Sequence, residues 1–421
     1  MHRLKALDGC LSSMDDLRLS LKSALTNEDV LALANTLPVE KLRSIKNERL
    51  IDNVLLARSV FMPNPYYGTR LAANKQVLVD VDELGAKDID LFMTDAEGIT
   101  KNRVSDDNTS DRKIAARAMG KQVITFFGGS TTMGTGSRLP AFTIPSLVEQ
   151  ILLLKHQLDT VCINRGILGM TSQDAFNMLC ADELRSPPDC VVFYTGWNCV
   201  FNQSAILALL NAKETSETPE IHLGMSTRHI EHGMQLSRQF NTSSAWTRAI
   251  WLTLNRIMTK FSQLTQSKTI RKLLNGLLKS DPTVNHSFVP KLIETITHSN
   301  TDEIAQACAQ DYLRLSRLAH ACCHSENVKF FNFIQPCLSW GNKPTTPIEQ
   351  TYIANSPPMG DIQRKFYEQV ASDAHPEYFH DLGRIFDSVN KQVYIDTGHL
   401  NPYGNFIVAE KIADQLATQL K

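Results

Sequence analysis

The sequence predicts an α/β protein, a three-layer α/β/α sandwich around a central parallel sheet of about five strands. To this core it adds an N-terminal, mainly helical extension and a helical insertion. Three observations carry the expectation. Short apolar runs ending in glycine or polar residues recur along the chain from residue 121, and amphipathic helical patterns separate them. About 130 residues lie between the third and fourth runs, far more than one crossover needs.

The strands follow in order. Val123-Ile124-Thr125-Phe126-Phe127 is a continuous apolar run that stops at Gly128-Gly129-Ser130, the pattern of a buried parallel strand entering a loop. Further runs at 160–164, 190–195, 328–334 and 392–395 predict four more strands. Helical patterns cover 144–156, about 173–184, 302–324 and 403–420. Alternating β and α segments of these lengths predict a sheet covered on both faces.

Ahead of this core, residues 1 to about 60 predict helices, from the roughly helical spacing of Leu11, Met14, Leu17, Leu19, Leu21 and Leu25 and a helix start at Thr26-Asn27-Glu28-Asp29. Residues 61–74, with Pro63, Pro65 and Gly68, predict a loop. The alternation of Val77, Val79 and Val81 predicts strand within 75–95, and 96–118 is polar with no clear period. The organisation expected is a 1–118 extension and a 119–421 domain interrupted by a helical insertion at about 200–300.

Composition bounds the function. The chain has 421 residues, 43% apolar and 21% charged, as in a globular protein with a substantial core. A formal net charge of −1 supplies no global field for a nucleic-acid partner. The insertion carries a basic segment at 245–279, with Arg248, Arg256, Lys260, Lys268, Arg271, Lys272 and Lys279 and no acid, and Trp246, Ile250, Leu254 and Ile257 lie at helical spacing within it. Such a helix can make peripheral contact with an anionic membrane, or serve as a lid with a solvated basic face. No run of some eighteen apolar residues predicts a membrane span. The first thirty residues hold Asp8, Asp15, Asp16, Glu28 and Asp29 and lack the apolar stretch of a secretory signal. Nine scattered cysteines, several beside core runs (Cys162, Cys190, Cys337), suit reduced thiols and a cytoplasmic location. The twelve histidines form no ligand-spaced cluster, so no metal and no cofactor is expected.

The segment Gly128 to Gly136 falls at the carboxyl end of the first core strand, where open parallel sheets bind ligands. As a P-loop it lacks the lysine, since Thr135 stands there; as a dinucleotide fingerprint it has Leu139 at the third glycine; as a G-x-S-x-G elbow it is broken by Thr132. What is left is a serine on a glycine turn, and on this segment alone a nucleophile and a plain helix cap both fit Ser130.

A serine nucleophile needs a base, usually a histidine held by a third group. Asp396-Thr397-Gly398-His399 follows the last predicted strand, and its i, i+3 spacing lets the carboxylate reach the nearer ring nitrogen. Acyl transfer also needs donors for a developing oxyanion. Gly169 after the second strand could offer a backbone N–H, and Asn198 after the third its amide; each alone is also an ordinary turn residue.

Together these four segments resemble the conserved blocks of the SGNH (GDSL-like) hydrolases. Ser130 matches the nucleophile block, Gly169 the glycine block, Asn198 the asparagine block, and Asp396 with His399 the D-x-x-H block, over about 121–200 and 301–421. The resemblance implies a flavodoxin-like sandwich, a Ser130-His399-Asp396 triad, and an oxyanion hole of Ser130, Gly169 and Asn198. Ile334-Gln335-Pro336 and the stretch from His399 to Asn405 further resemble polysaccharide-associated members. Two positions depart from the family: Gly129 replaces the aspartate of G-D-S, and Cys199 replaces the aspartate that usually follows the asparagine and supports its loop. The resemblance implies a serine esterase acting on O-acyl, chiefly O-acetyl, esters of a small molecule or carbohydrate. An O-acyltransferase delivering the acyl group to a sugar hydroxyl of surface polysaccharide would use the same machinery. A catalytically inactive glycan- or partner-binding protein is the alternative from another class.

Overall fold

The computed structural model describes residues 50–51, 61–64, 68–80, 89–103, 105–200, 301–355, 359–372 and 375–420. The helices expected before residue 50 and the insertion from 201 to 300, with its basic segment 245–279, lie outside the described residues.

The described residues of the N-terminal part hold five strands: β1 (Leu50–Ile51), β2 (Phe61–Asn64), β3 (Gly68–Leu71), β4 (Gln76–Asp80) and β5 (Ile89–Met93). β4 pairs in parallel with β1 and antiparallel with β5. Residues 50–51 are therefore strand within a segment expected to be helical. β2 and β3 form an antiparallel ribbon inside the expected loop 61–74. Pro63 is tolerated there because a two-stranded ribbon has only edge strands, whose outward N–H groups make no ladder bonds.

Helix α1 (Thr109–Ala118) occupies the stretch that shows no clear period. Its buried face is Thr109, Lys113 and Ala116, which carries no apolar signal, and the Asn108 side chain caps it by accepting from Asp111 N at 2.9 Å.

The core then runs β6 (Gln122–Gly128), α2 (Ser130–Met133), α3 (Ile144–His156), β7 (Thr160–Gly166), α4 (Ser172–Ala181), β8 (Cys190–Thr195), α5 (Thr301–Ser325), β9 (Lys329–Ile334), α6 (Pro347–Asn355), α7 (Met359–Ser372), β10 (Phe379–Asp381) and α8 (Pro402–Leu420). The five core strands lie in the order β10-β9-β8-β6-β7, all parallel. Counted from β6 this is the flavodoxin-like order 2-1-3-4-5, whose topological switch point lies between β6 and β8.

Residues alternate between the two faces. Ile124, Phe126, Val192, Tyr194, Phe331 and Phe333 pack with α3 and α8. Phe127, Val191, Phe193 and Phe330 pack with Ala175, Met178 and Leu179 of α4 and Ala319 and Cys323 of α5. Each such side chain contributes about 1.5–3 kcal/mol by leaving water. The three layers follow from strands apolar on both sides.

One expected strand is corrected. Residues 392–395 do not join the sheet; its fifth strand is β10, paired with β9. Val393, Tyr394 and Ile395 are all buried, which gives the run its strand-like appearance. Their backbone bonds go elsewhere: the N–H groups of Val393 and Tyr394 donate to the Glu349 carboxylate at 3.1 and 3.2 Å, and Tyr394 makes a lone antiparallel bridge with Leu400.

Among the described residues no helix is long and apolar enough to cross a membrane. The eight described cysteines are all free thiols.

Candidate active site

The switch point fixes where the loops converge. β6 ends at Gly128, where an added Cβ would meet Thr132 Oγ1 at 2.1 Å and Tyr194 O at 2.3 Å. Only glycine lets the single helical turn α2 fold back over the strand ends. Ser130 is the first residue of that turn, so its N–H has no acceptor within the helix. Gly134, in the left-handed region at φ +118°, closes the turn by donating its N–H to Ser130 O at 2.9 Å. Ser130 is 6% exposed.

The 396–399 segment approaches from the other side of the crevice. Ser130 Oγ lies 2.5 Å from His399 Nε2, and His399 Nδ1 lies 2.5 Å from Asp396 Oδ2. The second Asp396 oxygen accepts from Gly398 N and His399 N, each at 2.7 Å. A ring nitrogen facing a carboxylate carries the proton, which leaves Nε2 to accept from the Ser130 hydroxyl.

Several contacts fix this loop. Leu338 N donates to Thr397 O and Gln335 Nε2 to Gly398 O, both at 2.9 Å, and Tyr367 Oη donates to Gln335 O. The Trp197 indole stands against Gly398, where an added Cβ would meet the ring at 2.9 Å, and its centroid is 6.3 Å from that of His399.

Electrostatics follow from the geometry. Burial opposes charging of His399, but the charge and hydrogen bond of Asp396, with a further contribution from Asp90, raise its pKa above the usual imidazole value. Burial likewise works against ionised Asp396, yet His399 and the two backbone N–H groups hold its pKa below the usual carboxylate value.

The two remaining expected residues frame the same crevice. Gly169 adopts φ +77° in the turn after β7, which is pinned by Ile167 N to Gly128 O and Met170 N to Ile167 O, both at 3.0 Å. Asn198 is 9% exposed, and its Nδ2 donates to Met170 O at 3.1 Å. One N–H of that amide is thereby used and the other is left over. An added Cβ on Gly129 would meet Asn198 Nδ2 at 2.3 Å. The amide thus occupies the space that a side chain at position 129 would need.

Cys199 takes over a support role. Its Sγ accepts from Ser172 N at 3.2 Å at the start of α4 and lies 3.2 Å from Ser172 Oγ, which is also 2.9 Å from Thr195 Oγ1. Burial pushes the thiol pKa up to about 11, so it acts as a neutral group near pH 7.

Ser130, Gly169 and Asn198 thus come from the turns and helix starts at the carboxyl ends of core strands, and Asp396 and His399 from the segment after β10. Sequence reasoning missed Asp90 and Glu349. Neither has a motif around it, and each ends buried with backbone N–H groups on its oxygens. Among the described residues no group of three or more His, Cys, Asp or Glu side chains could hold a metal ion.

No protein-family model matches the chain, and no curated protein matches it in sequence. Solved structures similar to it include an acetylxylan esterase, Axe2, from Geobacillus stearothermophilus, at 15% identity over 70% of this chain and 94% of that one, with a TM-score of 0.31. The acetyl xylan esterase AlAXEase is similar at 16% identity over 71% of this chain and 100% of that one, with a TM-score of 0.27. A protein from Desulfitobacterium hafniense DCB-2, described as lipolytic and of the G-D-S-L family, is similar at 10% identity over 70% of this chain and 99% of that one, with a TM-score of 0.32.

Proposed function

We propose that the protein is an SGNH-type serine esterase cleaving O-acyl esters, above all O-acetyl esters of carbohydrate. The observation that carries this reading is the unbroken Ser130–His399–Asp396 hydrogen-bond chain at the carboxyl edge of a parallel sheet. Buried polar chains of this kind lower the barrier for a hydroxyl to attack a carbonyl. The carbohydrate as alcohol component rests on the resemblance of the sequence blocks.

In the proposed first step Ser130 Oγ attacks the ester carbonyl carbon while His399 Nε2 takes its proton. The carbonyl oxygen becomes an oxyanion facing the N–H groups of Ser130 and Gly169 and the free N–H of Asn198. Collapse breaks the acyl–oxygen bond, His399 returns the proton to the leaving alcohol, and the acyl group stays on Ser130. Water, deprotonated by His399, then releases the acid and restores the hydroxyl. A sugar hydroxyl in place of water would make the same machinery a transferase.

Two experiments test the reading. A fluorophosphonate probe is expected to label the wild type and to leave Ser130→Ala unlabelled; equal labelling of both excludes Ser130 as the nucleophile. Gly129→Ala crowds the Asn198 amide off its position and is expected to lower turnover of p-nitrophenyl acetate by up to roughly 10²-fold, the scale of one lost oxyanion donor. Unchanged turnover would remove Asn198 from the oxyanion hole.

A further inference from the structure

We propose that Asp90, carried by β5 of the N-terminal part, is a positioning residue of the active site: it holds the 134–138 turn that couples the Ser130 helix to the His399 loop. The proposal deepens the esterase reading and rests on it for the chemistry, though not for the geometry.

Asp90 is 4% exposed, and both its oxygens are spent on that turn. Oδ2 accepts from Gly136 N at 2.7 Å and Oδ1 from Arg138 N at 2.8 Å. Both donors sit at positive φ, Gly136 at +84° and Arg138 at +64°. That conformation is uncommon for a non-glycine residue such as Arg138, and a buried carboxylate collecting two N–H groups is a constraint that holds it.

The turn touches both halves of the proposed machinery. On one side Gly134 N and Thr135 N donate to Ser130 O, each at 2.9 Å. On the other, Gly136 lies so close to the base loop that an added Cβ would meet Leu400 O at 2.1 Å and Ile395 Cδ1 at 2.8 Å. Leu400 follows His399 directly, and Ile395 precedes Asp396. A shift of the turn therefore moves nucleophile and base relative to each other, and displacements of about 1 Å cost up to roughly 10²-fold in rate.

β5 is itself fixed to the core. It pairs with β4 along its length, and just beyond it Thr100 bridges to Asn164 of β7 while Asn102 Nδ2 donates to Cys162 O at 2.8 Å. The N-terminal part thus reaches the 134–138 turn through Asp90.

An acid suits this place better than an amide. Both its partners are donors, and a carboxylate is acceptor-only, whereas asparagine would turn an N–H toward an N–H. Its charge also favours the imidazolium that forms as Ser130 attacks. The groups around the imidazole are Asp396 on its own loop, Asp90 from β5, and the neutral Ser130 and Trp197. The nearby cations are Lys101, which lines the same small cavity as Asp90 and pairs with Asp107 at 3.2 Å, and Arg138 on the turn itself.

The test compares wild type with Asp90→Asn by pH-dependent p-nitrophenyl acetate hydrolysis and by NMR titration of the His399 ring. The variant is expected to lose roughly ten- to a hundred-fold in kcat with KM within about two-fold. Its acid limb and its His399 pKa both move to lower pH, a change that a merely structural role would not produce. A folded variant with unchanged kcat, acid limb and ring titration overturns the proposal. Asp90→Ser gives the same comparison if the asparagine variant does not fold. Absence of Ser130-dependent turnover in the wild type contradicts the esterase reading instead, and the ring titration still decides the role of Asp90.

Discussion

Asp396→Asn is expected to lower kcat for an acetyl ester by roughly 10³–10⁴-fold while the protein stays folded. The change is isosteric, and the asparagine carbonyl can still accept from Gly398 N and His399 N, which now bond one Asp396 oxygen. The amide nitrogen then faces His399 Nδ1, where it can only donate. The ring must move its proton to Nε2, the atom that has to accept from Ser130. Loss of the carboxylate also removes the charge that raises the His399 pKa.

The pH dependence has a definite sign. Because the raised pKa keeps His399 charged to higher pH, wild-type activity rises through a limb lying above the ordinary imidazole pKa of about 6.5. The residual activity of Asp396→Asn is expected to rise at lower pH than this. For stability the same shift favours the folded state below the unfolded-state pKa, and that contribution is lost as pH rises through the folded-state value. A pH–rate profile of both proteins checks the limb, and coincident limbs would show that Asp396 does not set the charge of the base.

Glu349→Ala is expected to destabilise the protein by about 3–5 kcal/mol, a large part of a typical folding free energy of about 5–15 kcal/mol. Glu349 is 0% exposed. One oxygen takes Lys343 Nζ at 2.7 Å and Thr346 N at 2.9 Å; the other takes the N–H groups of Val393 and Tyr394. Alanine leaves the Lys343 ammonium without its counter-ion and three backbone N–H groups, of Thr346, Val393 and Tyr394, without their acceptor. Burial works against the ionised form, but Lys343 and the backbone N–H groups outweigh it and lower the Glu349 pKa. The stabilisation is therefore complete above the unfolded-state carboxylate pKa and is lost as pH falls through the folded-state value. Because Glu349 holds the segment leading into Asp396, activity is expected to fall at temperatures where the variant is still largely folded. Urea unfolding near pH 7 measures the loss, and a change below about 1 kcal/mol would show that the 392–395 segment holds without this anchor.

What was legible in the sequence depended on whether a residue's environment is written in its neighbours. β6, β7, β8 and β9 are apolar on both faces, so each shows as a continuous run, and the amphipathic pattern over 144–156 coincides with α3. The Ser130, Gly169 and Asn198 segments were legible because each follows the end of a core strand, and the Asp396–His399 segment because it follows a buried apolar run. The fifth strand was not. Val393 to Ile395 look like a strand because they are buried, yet their backbone partners are a distant carboxylate and one bridge, and only tertiary structure supplies those. Helix α1 escaped because the residues it buries include a lysine and a threonine; Lys113 is buried beside Glu183, which also takes Thr125 Oγ1 at 2.7 Å and Arg165 at 3.0 Å. Asp90 escaped for a similar reason, since an acid in an alternating strand reads as a solvent-facing residue.

The most direct measurement is the intact mass of the protein seconds after mixing with an acetyl ester, for wild type and Ser130→Ala side by side. An acetyl adduct on the wild type alone, mapped to Ser130 by peptide digestion, is the predicted result. Ester turnover that is equal in both proteins, with no adduct on either, would contradict Ser130 as the nucleophile and with it the assignment of this crevice as the active site.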